Sequence, residues 1–366
     1  MIARVLPPLL LALALLWPAS AGAEAGADPC PAGATLSVVA HEDDDLLFLS
    51  PDLLYDVWVG RCLRTVFATA GDDGRGAAYW HEREAGSEAA YAAMDGVPDT
   101  WRSGTIVAGG HPVLVRTLTA DPRISLVFLR LPDGHPDGAG FAVTHRQSLM
   151  RLRDHEIPAI TALDGSAIYT KAGLAGTMAG LMAGFRPDTI RTQDQQGTFG
   201  DGDHADHHAA AYLAQDAARA DPAPHVVVGY LGYRILHQAR NVFGVEWDAK
   251  LAAFLAYGAH DDLACATEAE CAADPYYSRW PERQYRTDDQ GDPPGWDPPC
   301  VVPGVVGARW TAARARMAVA NCRLGAIRRR RSATVPRGRV IATSPPPSRR
   351  SHAPGARVTV TLSRGR

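Results

Sequence analysis

The stretch Thr35-Leu-Ser-Val-Val-Ala-His-Glu-Asp-Asp-Asp45 joins a short β-rich run to five charged or titratable side chains. The aliphatic and β-branched residues at 35–40 favour a strand, and the polar cluster begins where that strand would end. The same pattern recurs at residues 64–70, a second β-rich run that ends at Gly71-Asp72-Asp73-Gly74. The repetition favours two neighbouring parallel strands whose polar clusters meet at one edge of a sheet.

Strands and helices alternate along the next part of the chain. Strands are predicted at residues 112–118, 124–131, 188–192 and 225–230, and helices at residues 80–94, 146–154, 172–184 and 204–220. This alternation predicts an α/β fold with a Rossmann-like, mostly parallel sheet flanked by helices. In such sheets ligands bind beyond the carboxyl ends of the strands, which is where the polar clusters fall.

Two of these clusters carry the side chains of a metal site. His41 and Asp44 are three residues apart on a predicted turn, while Gly-Asp-His-Ala-Asp-His-His (residues 202–208) lies between a predicted strand and its helix. Two histidines and a carboxylate with an open position form the hydrolytic zinc arrangement. Asp43 and Asp44 can take different tasks, because adjacent side chains on non-helical backbone point in different directions. The alternatives are a solvated acidic loop and a histidine that only neighbours a helix cap.

These stretches resemble a known family. Val38-Val-Ala-His-Glu-Asp-Asp-Asp45 resembles the A-H-P-D-D-E signature of the LmbE/PIG-L zinc-dependent N-acetylglucosamine deacetylases, and His204-Ala-Asp-His207 resembles its H-P-D-H motif. Arg186-Pro-Asp188 and Thr69-Ala-Gly-Asp72 are similar to two further family stretches. The resemblance covers residues 35–261. Three positions depart from the signatures, Glu42 and Ala205 in place of proline and Asp45 in place of glutamate, and Glu42 adds charge beside the site.

The resemblance implies roles for the matching residues. His41, Asp44 and His207 would hold Zn²⁺, Asp43 would be the general base, and His204 would stabilise the oxyanion. Fe²⁺ or Co²⁺ could occupy the same donor set.

Asp72, Arg83 and Glu84 are candidates for binding sugar hydroxyl groups, the alternative being surface charge on a turn and a helix. His208 is expected to face away from the metal.

The N-terminus and the cysteines point to export. Residues 1–23 combine one basic residue, an apolar run at 5–17 and small residues at 19–23, which is typical of a cleaved signal peptide and too short to anchor the chain in a membrane. Six cysteines allow 15 disulfide connectivities. Their spacing favours the sequential one, and it pairs Cys30 with Cys62, Cys265 with Cys271 and Cys300 with Cys322.

The charge divides the chain into two modules. Residues 300–366 hold 15 Arg and no Lys, Asp or Glu, whereas the other residues hold 22 basic and 40 acidic side chains. The Pro- and Asp-rich composition of residues 261–299 favours a linker or an irregular cap between a first domain at 24–260 and the basic module. The basic module should favour an anionic partner.

The basic module is predicted to be a small α+β domain, with a helix near residues 312–321 and strands at 340–343 and 357–362. Val302-Pro-Gly-Val-Val-Gly307, Val335-Pro-Arg-Gly-Arg-Val340 and Pro354-Gly-Ala-Arg-Val358 resemble stretches of the PASTA domain. That resemblance implies binding to bacterial peptidoglycan; a structural appendage or a dimerisation element is the alternative.

Together these features predict an exported zinc-dependent deacetylase of N-acetylglucosamine-type sugars in a cell-envelope glycan or glycoconjugate, associated with the cell wall. The alternatives are a non-catalytic peptidoglycan-binding protein and another metal-dependent amidase or phosphoesterase. No nucleic-acid-reading motif occurs, so a nucleic-acid partner is not expected.

Overall fold

A seven-stranded sheet forms the centre of the first unit. The computed structural model describes residues 30–287, 300–319, 322–347, 351–352 and 355–365. The strands are β1 Ala34–Val39, β2 Cys62–Thr69, β3 Trp101–Ala108, β4 His111–Leu118, β5 Ile124–Leu131, β6 Ile160–Thr161, β7 Ile168–Tyr169, β8 Thr189–Thr192, β9 Val226–Gly229, β10 Cys300–Val301, β11 Arg323–Arg330, β12 Val340–Ser344, β13 Ser351–His352 and β14 Arg357–Ser363. The α-helices are α1 Asp52–Val59, α2 Ala77–Asp95, α3 Leu149–Arg153, α4 Lys171–Phe185, α5 Ala205–Ala220, α6 Gly244–Gly258, α7 Glu268–Ala273 and α8 Trp310–Val319.

The strand order of the large sheet is β3-β4-β5-β2-β1-β8-β9. Five neighbouring strands of this sheet are parallel to one another: β5, β2, β1, β8 and β9. Strand β4 runs antiparallel to β5 and to β3. From β1 the chain builds β2 on one side and later β8 on the other, so the order reverses between β1 and β8. A crevice therefore opens at the carboxyl ends of these two strands, the position where such sheets bind ligands.

Two apolar layers cover the two faces of the sheet. On one face Phe48, Phe67, Tyr91 and Phe254 belong to a core built with α1, α2 and α6. On the other face Met178 belongs to a core built with α3, α4 and α5. The sheet is thus buried on both sides, and the predicted α/β class with helices flanking a mostly parallel sheet is confirmed.

The disulfides follow the sequential pairing: Cys30–Cys62, Cys265–Cys271 and Cys300–Cys322. The first bond is explained by the sheet, because Cys62 begins β2 opposite Ala34 of β1, and Cys30 precedes β1 by a short turn.

Residues 261–287, which the composition predicts to be a linker or an irregular cap, pack onto the first unit. They contain α7 and a buried disulfide, and the Trp280 side chain is only 8% exposed within the core shared with α6. The buried Lys250 ammonium donates to the carbonyl oxygen of Arg283 at 2.9 Å and to that of Leu47 at 2.6 Å. Aromatic burial thus overrides the Pro- and Asp-rich composition. The remainder of the predicted linker, residues 288–299, and the predicted signal peptide lie outside the described residues.

The C-terminal unit is a small α+β domain, as predicted. Its three-stranded sheet has the order β11-β14-β12, and a two-stranded ladder pairs β10 with β13. Val358, Val360 and Leu362 of β14 are buried with Met317 of α8 in a separate core. The arginine-rich edge strand β11 was not predicted, because its side chains are mostly exposed and carry no apolar alternation.

Among the described residues, none of the helices has both the length and the apolar character that crossing a bilayer requires.

Candidate metal centre

The turn after β1 brings His41 and Asp44 together. The Asp44 Oδ2 atom accepts a hydrogen bond from the backbone N–H of His41 at 2.6 Å and lies 3.1 Å from His41 Nδ1. Both side chains are buried, with 5% of His41 and 2% of Asp44 exposed. The turn therefore folds the carboxylate back over the imidazole and holds two donor groups at the carboxyl end of β1.

The first turn of α5 supplies two further imidazoles. His204 is the N-cap residue, and its Nδ1 accepts the backbone N–H of Asp206 at 3.1 Å. His207 lies three residues later on the same face of the helix. Its Nε2 is 3.0 Å from Asp44 Oδ1, and its ring centroid is 5.4 Å from that of His41. Two stretches more than 150 residues apart in the chain thus meet at the crevice between β1 and β8.

His41, Asp44 and His207 fit a divalent cation. Each offers one donor atom, and these atoms lie within 4.8 Å of one another. Within the described part of the chain, the buried His207 Nε2 makes no hydrogen bond of acceptable geometry, although Asp44 Oδ1 lies 3.0 Å away. Its other nitrogen, Nδ1, lies 2.8 Å from Asp203 Oδ1. A carboxylate behind the ring is the usual way in which a protein fixes a metal-binding histidine, and two histidines with one carboxylate suit zinc.

His41 has carboxylates on both sides of its ring. While Nδ1 faces Asp44, Nε2 lies 3.6 Å from Asp206 Oδ2 and 3.7 Å from Asp133 Oδ2. Asp133, Asp206, His41 and His204 form a second group with metal-ligand chemistry. Asp133 and Asp206 therefore face the nitrogen of His41 that is turned away from Asp44. Asp203 faces the corresponding nitrogen of His207. None of these three aspartates was given a role on the basis of the sequence.

Asp43 forms an ion pair with Arg83. Its Oδ1 accepts from Arg83 Nη2 at 3.0 Å, and its side chain is 14% exposed compared with 3% for Asp44. Burial raises the pKa of Asp43 to about 6, although the Arg83 guanidinium opposes this shift. The adjacent carboxylates thus have different surroundings, and Asp43 alone keeps a partly accessible face.

The pKa of His204 is held well below its usual value by burial and by the neighbouring His41 and His207. The ring is therefore neutral near pH 7. Since its Nδ1 accepts the Asp206 amide hydrogen, the proton of the neutral ring is on Nε2. His204 thus presents a fixed N–H donor from the N-terminus of α5.

Glu42, at the position where the family signature has proline, is completely buried. Its Oε2 atom is 3.8 Å from Arg83 Nη1, and burial raises the pKa of Glu42 well above its usual value. Burial thus disfavours the charge that the sequence places beside the site, and the Arg83 guanidinium opposes this effect.

The three residues expected to bind sugar hydroxyl groups are all engaged with the protein itself. Both oxygens of Asp72 accept backbone N–H groups, from Asp133 at 2.8 Å and from Gly74 at 3.1 Å. Both oxygens of Glu84 accept from Arg130 at 2.7 Å. Only Arg83 contacts the candidate site, through Asp43. Glu84 is not brought to the cluster.

His208 faces a different group, as expected. Its Nε2 is 3.0 Å from Asp201 Oδ1, and the Asp201 carboxylate also forms an ion pair with Arg234 Nη1 at 3.1 Å. Asp194, Asp201 and His208 have the composition of a metal site. The Arg234 guanidinium pairs with both carboxylates, so it already supplies the positive charge that a cation would bring.

Comparisons with known proteins add family information. Residues 36–218, half of the chain, match the family model PIG-L, described as GlcNAc-PI de-N-acetylase. Residues 301–364 match the PASTA domain model. A comparison with curated protein sequences gives no match.

Three solved structures are similar to this chain, each with a TM-score of 0.34. The conserved protein TT1542 from Thermus thermophilus is 18% identical, over 62% of this chain and 78% of its own. The 4-carboxy-2-hydroxymuconate hydratase GalB from Pseudomonas putida is 14% identical, over 61% and 77%. The N,N'-diacetylchitobiose deacetylase from Pyrococcus horikoshii is 13% identical, over 62% and 69%.

The family match contains both stretches that form the cluster, from His41 to Asp44 and from His204 to His207. The chain therefore belongs to the PIG-L family of GlcNAc-PI de-N-acetylases and carries a PASTA domain at its C-terminus.

Proposed function

We propose that the protein is an exported, zinc-dependent hydrolase that removes the N-acetyl group from N-acetylglucosamine-type sugars of a cell-envelope glycan or glycoconjugate. The observation that carries this proposal is the meeting of His41, Asp44 and His207 beside the partly accessible carboxylate of Asp43. Membership of the PIG-L family supports a deacetylase.

His41, Asp44 and His207 would hold the metal. When bound, Zn²⁺ supplies Lewis acidity that polarises an amide carbonyl and makes water more acidic. Asp203 orients His207 through the contact between Asp203 Oδ1 and His207 Nδ1, and Asp133 and Asp206 face the far nitrogen of His41. These contacts fix the orientation of the His41 and His207 rings before a metal binds. The free-energy cost of ordering the two rings at binding is therefore lower.

Asp43 is the general base in this proposal. Its carboxylate accepts a proton from the water that attacks the acetamide carbonyl carbon. When the C–N bond breaks, the same carboxyl group returns the proton to the departing amine, so that the products are a free amino sugar and acetate. Proton transfer by a positioned side chain typically accelerates such a step about 10²- to 10⁴-fold.

His204 would stabilise the negative charge that develops on the carbonyl oxygen. Its neutral ring donates through Nε2–H, since Nδ1 is occupied by the Asp206 amide. A donor of this kind lowers the barrier by about 3–4 kcal/mol.

Arg83 positions Asp43. Its guanidinium contacts Asp43 at 3.0 Å, the Gly71 carbonyl oxygen at 2.6 Å and the Tyr257 hydroxyl at 2.6 Å. Of the three residues first expected to bind sugar, only Arg83 keeps a role at the site, because its Nη2 atom contacts Asp43, the proposed general base. Asp72 instead holds the loop at Asp133, and Glu84 pairs with Arg130.

We further propose that residues 1–23 direct export, that the catalytic domain extends to about residue 287, and that residues 300–366 bind the cell wall. The three disulfides suit an oxidising compartment. Arg328–Arg331 are exposed on and after β11, and no acidic residue occurs from Cys300 onward. This basic surface and the PASTA match support an anionic wall partner.

An acetate-release assay tests the proposal. The full-length protein, loaded with zinc, should release acetate and a free amine from N-acetylglucosamine-bearing glycans, and a chelator should stop the reaction. Phosphate release from phosphate esters, measured in parallel, separates the deacetylase from a phosphoesterase. A zinc-loaded protein that releases no acetate from any of these glycans would contradict the deacetylase function.

A further inference from the structure

A pocket of about 490 Å³ lies beside the metal centre, and no step proposed above uses it. We name it the aromatic pocket. Its walls include Tyr233, Tyr276, Trp280, Asp201, Arg234 and His237. Its volume and its mixture of aromatic and polar side chains suit a small polar molecule with an apolar face.

Three aromatic rings form a stack along this pocket. The Trp280 ring is stacked with Tyr233, at 5.0 Å between centroids, and with Tyr276, at 5.3 Å. Tyr276 is 52% exposed, so it offers an open aromatic surface at the end of the stack. The C–H face of a pyranose ring packs against such a surface, because an aromatic face is both apolar and negatively polarised.

Polar groups surround this surface. The Arg234 side chain is 33% exposed at the pocket wall. Asp201, the partner of Arg234 Nη1 at 3.1 Å, adds carboxylate oxygens to the pocket wall. Sugar hydroxyl groups both accept and donate hydrogen bonds, so they can pair with the Asp201 carboxylate and the Arg234 guanidinium.

Tyr233 connects the aromatic pocket to the metal centre. Its ring is 4.8 Å from that of His207 and 6.3 Å from that of His204, measured between centroids. Its backbone N–H donates at 3.0 Å to Asp203 Oδ1, the atom that faces His207 Nδ1. A single residue therefore separates a molecule in the aromatic pocket from one at the metal ligands.

We propose that the aromatic pocket binds a second sugar ring of the substrate, next to the ring whose acetamide faces the metal ligands. This inference rests on the proposed deacetylase function and narrows its substrate class to glycans of two or more linked sugars. A single sugar would leave the aromatic pocket unfilled and so would lose the contacts to Tyr276, Trp280 and Arg234.

The test compares N-acetylglucosamine with its β-1,4-linked tetramer as substrates of the full-length, zinc-loaded protein. Wild type should have a higher kcat/KM for the tetramer than for the single sugar. Tyr276→Ala should reduce the ratio of the two kcat/KM values about tenfold, because the exposed stacking surface is lost. Tyr276→Phe keeps this surface and should keep the ratio. Phe243→Ala removes a half-exposed aromatic ring outside the pocket and is the matched control.

A binding measurement separates this inference from the deacetylase function. Calorimetric titration of the tetramer into the zinc-loaded Asp43→Asn protein should give an affinity that the added Tyr276→Ala change weakens about tenfold. If wild type releases acetate but Tyr276→Ala alters neither the ratio nor the affinity, the sugar-binding inference is wrong while the deacetylase function stands. If wild type releases no acetate, the function fails and the titration still decides whether the aromatic pocket binds sugar. A tetramer that does not bind would also overturn the inference.

Discussion

His41 and Asp43 are two residues apart, yet the structure gives them separate surroundings. His41 is enclosed by Asp44, Asp133 and Asp206, whereas Asp43 faces Arg83 and keeps some exposure. At the residue scale, we therefore assign metal binding to one side chain and proton transfer to the other. This division has measurable consequences.

Replacing Asp43 with Ala should leave zinc bound and reduce turnover by about 10²- to 10⁴-fold, because the proton acceptor is lost while the ligands remain. Replacing His41 with Ala should remove both zinc and turnover. Metal analysis of the purified proteins and acetate release give the two readouts. Loss of zinc from Asp43→Ala would place Asp43 among the ligands instead.

Asp203→Asn should weaken zinc binding about 10- to 100-fold, since His207 loses the charged partner that orients its ring. Competition with a chromophoric chelator measures this affinity. Asp216→Asn on α5 is the control; its carboxylate pairs with Arg153 and Arg219 on the surface, so the change should leave the zinc affinity unchanged. Equal affinities for wild type and Asp203→Asn would remove Asp203 from the site.

Much of the candidate site could be predicted from the sequence, because the side chains that could hold a metal lie in two short motifs at strand ends. Asp133 follows the predicted strand at residues 124–131, so the rule that ligands bind at the carboxyl ends of strands could have found it. The partners of Arg83 and Glu84 could not be predicted. Arg83 meets Tyr257, 174 residues away, and Glu84 meets Arg130, 46 residues away, and neither contact leaves a local pattern.

At the element scale, strands buried on both faces and most Ala-rich helices were predictable, whereas several other elements, β11 among them, were not. The strand β3 is mostly exposed and lies at the edge of the sheet, so it lacks the apolar run of the central strands. Helix α1 is only eight residues long and Asp52–Val57 are buried, so its short sequence cannot be told from a buried strand. Residues 261–287 resemble a linker in composition, and only the packing of Trp280 and its neighbours makes them part of the first unit.

The contact between α6 and α1 predicts a pH dependence of stability. Glu246 accepts a hydrogen bond from the Tyr55 hydroxyl, and burial raises the pKa of Glu246 to about 7. The unfolded chain releases this proton near pH 4.5, so the folded state binds the extra proton between about pH 4.5 and 7. The free energy of unfolding should therefore fall across this range as the pH rises.

Glu246→Gln should remove that fall, making the variant about 1–3 kcal/mol more stable than wild type at about pH 8 and no more stable at about pH 4.5. Urea unfolding at both pH values measures the difference, with the exposed Glu268→Gln as the control. A variant with the same pH dependence as wild type would show that Glu246 is ionised in the folded protein.

At the scale of the whole molecule, opposite charges are divided between two units with separate cores. The acidic unit carries the proposed metal ligands, while the C-terminal unit holds 15 Arg and no acidic residue. The catalytic site and the proposed wall-binding surface are therefore built on different cores. The two activities should be separable.

Deletion of residues 300–366 should leave turnover of a small soluble substrate intact and reduce co-sedimentation of the protein with isolated cell walls. High salt should weaken the wall binding of the full-length protein, because screened arginines attract an anionic polymer less strongly. Wall binding that survives the deletion unchanged would reject the targeting role.

The claim that His41, Asp44 and His207 enclose one cation is tested most directly by anomalous diffraction at the zinc absorption edge, from crystals of the full-length protein grown with zinc. We predict an anomalous peak within bonding distance of one atom from each of these three side chains. A crystal with zinc bound only elsewhere, for example between Asp194, Asp201 and His208, or with no peak at the carboxyl ends of β1 and β8, would contradict this claim.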